Sequence, residues 1–134
     1  MAPTKRPSIR RLTRGNPKRT VLAALVEVRF ADGEALLRTR QPQRRTGAIY
    51  IAGYGVECAL KARICIDRRE QYLDPEFHHH DLRSLARATA VWPLMSQDPD
   101  RLARLTYLES QWYVTMRYAA RTYRVDEVST FLRR

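Results

Sequence analysis

The chain has 134 residues, 44% of them apolar, with 25 Lys+Arg against 14 Asp+Glu and a formal charge of +11. That length suits one folded domain with a tail, and no apolar run approaches the roughly 18 residues that span a bilayer. The opening MAPTKRPSIRR has no apolar stretch behind its charges, so a secretory signal, a transmembrane protein, a secreted disulfide scaffold and a wholly disordered chain are all disfavoured.

Residues 1–20 hold seven basic residues (Lys5, Arg6, Arg10, Arg11, Arg14, Lys18 and Arg19), no acid, and three of the seven prolines. The other 114 residues carry 18 basic and 14 acidic side chains, a net +4. Residues 1–19 therefore read as a basic flexible arm that cannot bury enough apolar surface to offset its ordering entropy. It suits either a solvated tail or the neutralisation of nucleic-acid phosphates.

Residues 20–134 read as helices. TVLAALVEVRFADGEALLRTR, Thr20 to Arg40, is helix-prone, with Leu25, Val28, Leu36 and Leu37 as its apolar side and Asp32-Gly33 as a place to break or kink. Gln41-Pro42-Gln43 is a break. From Thr46 to about Ile66, TGAIYIAGYGVECALKARICI is apolar nearly all round and should be the central, most buried helix. Gly47, Gly53 and Gly55 each cost about 1 kcal/mol there relative to Ala; close approach of a neighbouring helix is their expected return. Cys58 and Cys65 lie two turns apart, about 10 Å, too far for a disulfide. Buried thiols in a reducing cytoplasm follow.

Arg68 to His79, interrupted by Pro75, reads as a loop. A shorter helix should run from His80 or Asp81 to Val91 with Leu82, Leu85 and Ala86 inward, ended by Pro93. Asp98 is placed to cap a further helix with Pro99 at its first position. Leu102, Leu105, Leu108, Trp112, Met116 and Ala119 then recur at steps of three and four. A short final helix covers about Asp126 to Leu132. No period-two alternation marks a strand, so the expected architecture is an all-α antiparallel bundle of four or five helices.

Polar residues inside the central helix carry the most information. With Glu57 at zero and about 100° per residue, Tyr50 falls near 20°, Lys61 near 40° and Tyr54 near 60°. Tyr50, Tyr54, Glu57 and Lys61 thus form one narrow seam, with Glu57 and Lys61 in the favourable order. The seam suits a structural ion pair at the bundle edge, or a patch facing a partner subunit or ligand groove. His78, His79 and His80 are adjacent on a loop and do not readily converge on one ion, so no metal is assigned. Asp81 favours the start of the helix that follows. In the late helix Arg117 lies about 140° from Trp112, away from the core side, as a surface arginine or as a grip for phosphate or carboxylate.

In this order the clusters resemble a HEPN domain (higher eukaryotes and prokaryotes nucleotide-binding helical domain). The resemblance rests on Gly53-Tyr54-x-x-Glu57-Cys58-x-Leu60-Lys61, then His80-Asp81-Leu82-x-x-Leu85, then Trp112 and Arg117-Tyr118, and spans roughly residues 22–125. It implies an antiparallel bundle that usually dimerises, found in prokaryotic defence, toxin–antitoxin and nucleotidyltransferase-linked systems. Many members are metal-independent ribonucleases; others bind RNA, nucleotides or a partner protein without cleaving. Catalytic members place an Arg, four to six residues, then a His in the late helix. Here Arg69 precedes His78 by eight intervening residues, and Tyr123, not His, follows Arg117. A phenol, mostly protonated at neutral pH, is a poor base.

Two functions follow from the resemblance. One is a non-catalytic dimeric module that needs no cofactor, with Tyr50, Tyr54, Glu57, Lys61, Asp81 and Tyr118 at binding or interface positions. Its partners would be RNA or another nucleic acid, a second copy, or a nucleotidyltransferase or other defence-system protein. The other is a metal-independent endoribonuclease with a variant site of His80, Arg117 and Tyr123.

Overall fold

The structure is a computed structural model that describes residues 16–112. Those residues form an all-α bundle: α1 (Arg19–Arg38), α2 (Arg45–Asp67), α3 (Leu82–Arg87), α4 (Trp92–Gln97) and α5 (Pro99–Gln111). Single 3-10 turns at Pro42–Arg44 and Pro75–Phe77 interrupt the connections. None of the described helices is long and apolar enough to cross a membrane. The expected final helix at residues 126–132 lies outside the described residues.

α1 runs unbroken through Asp32-Gly33. Gly33 is buried there rather than hinged, and Asp32 is paired with Arg29 at 3.1 Å. Of its expected apolar side, Leu25, Leu36 and Leu37 pack inward, but Val28 does not. Leu22 and Phe30 are buried, with Leu25, Val26, Leu36 and Leu37 packed beside them. With Leu22 at zero these residues all fall within about 80° of it, whereas Val28 falls near 240°. Val28 is accordingly 47% exposed. A short list of apolar residues admitted two faces, and the bulk of Phe30 decided between them.

α2 packs antiparallel to α1, as three contacts record. An added Cβ at Gly47 would lie 3.6 Å from Leu36, and one at Gly55 would lie 2.8 Å from Phe30. At the far end the amide of Arg19 donates to the Gln71 carbonyl at 2.8 Å. Pro17, Lys18 and Arg19 are in fact held as a short antiparallel pairing: Lys18 bridges Tyr72, and the Leu73 amide donates to the Pro17 carbonyl at 2.9 Å. Lys18 and Arg19, counted with the arm from composition, therefore sit in the fold.

α2 is the central helix. Ala48, Ile49, Ala52, Ile64 and Cys65 are buried along it. Both cysteines are free and buried. α1 and α2 each end on an arginine in the left-handed region, Arg40 at φ 58° and Arg69 at φ 54°. Glycine is favoured in that conformation, and a residue with a Cβ costs about 1–2 kcal/mol there.

The second half departs from expectation in where its helices stop. α3 buries Leu82, Leu85 and Ala86 as expected, but it ends at Arg87, well short of Val91. Thr89 Oγ1 donates to the Ala86 carbonyl at 2.7 Å, and the Ala90 amide donates to Asp67 Oδ2 at 2.7 Å. Those side chains offer the backbone better partners than another helical turn. Pro93 does not end a helix; it occupies the first turn of α4, where its missing N–H costs nothing. Asp98 caps α5 as expected, accepting from the amides of Asp100 and Arg101 at 3.0 and 3.3 Å. Arg83 clamps α3 to α5 through Glu109 at 2.6 Å and Thr106 at 3.0 Å.

Trp112 is not on the helical stripe. It is extended, with φ −117° and ψ 125°, and its indole is buried against Gly53. An added Cβ at Gly53 would overlap the Trp112 indole. At Gly53 and Gly55 the close neighbour is therefore an aromatic ring rather than a helix backbone. Gly53→Ala should cost about 1–3 kcal/mol by overpacking. Gly47→Ala meets only ordinary contact and should stabilise by up to about 1 kcal/mol. Urea unfolding of both variants checks this; equal midpoints would refute the indole contact.

Candidate functional site

The seam read from α2 exists in space, and it is deeper than the bundle edge. Glu57 is 5% exposed and Lys61 7%. Lys61 Nζ donates to Glu57 Oε2 at 3.0 Å. One turn earlier, the hydroxyls of Tyr50 and Tyr54 lie 2.9 Å apart. Helical spacing alone aligns these four.

The second carboxylate oxygen reaches outside the helix. His80 Nδ1 lies 2.6 Å from Glu57 Oε1, across 23 residues of chain. A carboxylate only accepts, so Nδ1 carries the proton, and in the neutral ring Nε2 holds the lone pair. The His80 side chain is 46% exposed, and Nε2 has no partner among the described residues. The sequence treated Glu57 and His80 as separate clusters; the fold makes them one.

Asp81 fixes where that histidine stands. Its Oδ1 caps α3 by accepting from the Ser84 amide at 3.0 Å, which sets the chain's entry angle immediately after His80. The other two histidines diverge from it. His79 Nδ1 accepts from the Asp81 amide at 3.2 Å, and His78 ends the 3-10 turn. Among the described residues no group of three His, Cys, Asp or Glu is placed to hold a metal ion.

Aromatic rings wall the site. Tyr54 meets Tyr50, Trp112 and His80 edge-on, with centroids 5.1, 5.4 and 6.0 Å away. Trp112 Nε1 donates to the Tyr50 carbonyl at 3.0 Å. The sequence offers Trp112 as a core residue and as part of the third motif, not as a neighbour of Gly53. Its signal is Gly53, since a glycine inside a buried helix marks close approach, but no spacing rule names the partner.

Arg117, Tyr118 and Tyr123 lie outside the described residues, as do the arm residues Lys5, Arg6, Arg10, Arg11 and Arg14. The assembled site is therefore Tyr50, Tyr54, Glu57, Lys61 and His80, with Asp81 and Trp112 supporting it. Cys58 lies beside it. Burial, reinforced by the neighbouring Glu57 charge, pushes the Cys58 thiol above its usual range. Burial, reinforced by Glu70, does the same to Cys65. Comparison of the chain with protein-family models, with curated proteins and with solved structures finds no match.

Chemically, the site holds one imidazole in a set orientation beside a tyrosine wall. The cost of removing each partner should be unequal. Glu57→Gln leaves the Lys61 charge buried without a counter-charge and should cost about 3–5 kcal/mol. Lys61→Met leaves Glu57 still bonded to His80 and should cost less. Denaturant unfolding of the two variants orders them; Lys61→Met proving the more damaging would reject Glu57 as the hub.

The thiols give a second test. The fold holds both protonated more firmly than the unfolded chain does. As pH rises through about 9 the unfolded state loses its thiol protons first, so stability should fall there. At pH 8 a thiol-reactive dye should label Cys58 and Cys65 only as fast as the protein unfolds. Prompt labelling of both in the folded protein would contradict their burial.

Proposed function

We propose that the protein is a non-catalytic, HEPN-like dimeric module of a prokaryotic defence or toxin–antitoxin system, which binds RNA or a partner protein without cleaving it. One observation carries the reading. Two of the three motifs that carry the resemblance meet at one carboxylate, Glu57, whose oxygens take Lys61 and His80. Oε2 pairs with Lys61 on the same helix, and Oε1 ties α2 to the segment that enters α3. Asp81 is likewise engaged as a helix cap. In these bonds Glu57 and Asp81 hold the chain around His80 in place. The half-exposed edge of His80 then offers a hydrogen-bond acceptor at the surface, which suits the edge of an unpaired base. A nucleotidyltransferase or another defence protein is the expected protein partner.

A second reading is favoured by the same histidine. A buried carboxylate that sets the imidazole tautomer and leaves Nε2 half-exposed is the arrangement of an oriented general base. In that reading Nε2 takes the proton of an RNA 2′-hydroxyl, whose oxygen attacks the adjacent phosphorus and expels the 5′-oxygen. Arg117 stabilises the phosphorane charge, and Tyr123 supplies a proton to the leaving oxygen.

Incubation of the purified chain with single-stranded RNA in the presence of a chelator separates the two. The proposal expects RNA that is bound and intact. Cleavage that disappears in both His80→Ala and Arg117→Ala would overturn it in favour of the ribonuclease.

A further inference from the structure

The outer face of α1 is uncovered. Among the described residues Val21, 50% exposed, and Val28, 47% exposed, are two of the four large apolar side chains that stand open. Ala24, Ala31 and Ala35 are exposed as well. With Val28 at zero, these five fall between about −60° and 20° on the helix, opposite the buried Leu22, Phe30 and Gly33. They make one stripe about 21 Å long, in steps of three and four. Acids border it, Glu27 and Glu34 on one side and Asp32 on the other. Asp32 is shared with Arg29 at 3.1 Å and Glu34 with Arg38 at 3.4 Å, both at the surface. Glu27 is exposed and has no partner among the described residues. On a chain of net charge +11, an apolar stripe edged by carboxylates suits a basic segment that carries a few apolar side chains.

We propose that this face is the docking surface for the chain's own basic arm, residues 1–15, folded back along α1. The arm carries Lys5, Arg6, Arg10, Arg11 and Arg14 and no acid. Ile9 and Leu12 give it apolar side chains to lay on the valines, and Pro3 and Pro7 favour an extended backbone. The arm joins the fold at the first turn of α1. The chain bends at Asn16 and is pinned at Pro17–Arg19 against residues 71–73. Extended, the arm reaches about 50 Å, more than twice the length of the stripe. The tether supplies it at an effective concentration on the order of 1 mM, so contacts that are weak one by one suffice to hold it. Other occupants fit less well. A second copy of α1 laid on this face would set acids against acids in either direction. The chain leaves the described residues at Trp112, on the Gly53 side of α2, whereas α1 meets that helix at Gly55, about 200° round it. The loop at residues 67–76 also holds acids, but Arg63 and Arg68 already pair with Asp67, Glu70 and Glu76. A docked arm has its cations engaged, so a nucleic acid must displace them from these carboxylates before it can use them. That consequence rests on the RNA-binding reading above; the docking does not.

The test uses the full chain, brief exposure to trypsin, and mass spectrometry of the cuts after Arg10, Arg11 and Arg14 at about 0.05 M salt. A synthetic peptide of residues 1–15 is the reference for an undocked arm. The wild-type arm should be cut at least about fivefold more slowly than the peptide, the occupancy that such a tether gives a weak site. Glu27→Lys with Glu34→Lys should restore the rate to within about twofold of the peptide, and so should about 0.5 M salt. Val28→Ser should speed cutting about twofold through lost apolar contact. All three side chains are exposed, so each variant should melt within about 4 °C of wild type, and faster cutting is then not unfolding. An arm cut as fast as the peptide overturns the docking. Protection that persists in the charge-reversed chain or at high salt overturns this face. Protection lost on dilution from about 10 to about 1 μM gives the arm to a second copy and overturns the folded-back arrangement. No readout involves RNA, so failure here leaves the RNA-binding reading untouched.

Discussion

A carboxylate almost wholly out of water is the constraint from which the rest of this structure follows. An ionised Glu57 inside a helical bundle is tolerable only if its desolvation is offset by close partners. It has two, from different parts of the chain. Lys61 comes from the same helix one turn on, so that pair forms as soon as α2 does. His80 comes from the loop before α3, and its bond to Glu57 ties that loop to α2. Asp81, capping α3 directly afterwards, then sets the direction of the helix that buries Leu82, Leu85 and Ala86.

The same seam governs the other flank of α2. Tyr54 sits between His80 and Trp112, and Trp112 reaches it because Gly53 has no side chain. The Trp112 indole then donates to the Tyr50 carbonyl, one turn earlier. Acid, base and aromatic groups are thus interlocked on one helix face, and the face is closed except at the outer edge of His80.

Much of the helix framework was legible because it is local. The α2 segment was readable from length and apolarity, and the Tyr50–Lys61 seam from its 100° repeat. Asp98-Pro99 was readable as a helix start, and so was the inward face of α3. The misreadings have specific causes. Val28 was placed inside because apolar residues on α1 admit two faces, and only the partner helix selects the one with Phe30. Asp32-Gly33 did not bend α1 because Gly33 is packed. Pro93 reads as a stop, yet proline is equally at home in a first turn, where α4 places it. Trp112 fitted the helical repeat by spacing alone, while the chain had already left the helix.

From sequence alone came α1, α2, α3 and α5, the Asp98 cap, the buried free thiols and the side chains that share the α2 seam, since each depends on residues no more than a few positions apart. Only the tertiary structure decided that His80 completes the Glu57 pair, that Trp112 fills the notch at Gly53, and that Lys18 pairs beside Tyr72. Those partners are brought together by which loop folds onto which face. That choice is made by the summed packing of the whole bundle, and no periodicity within a segment encodes it.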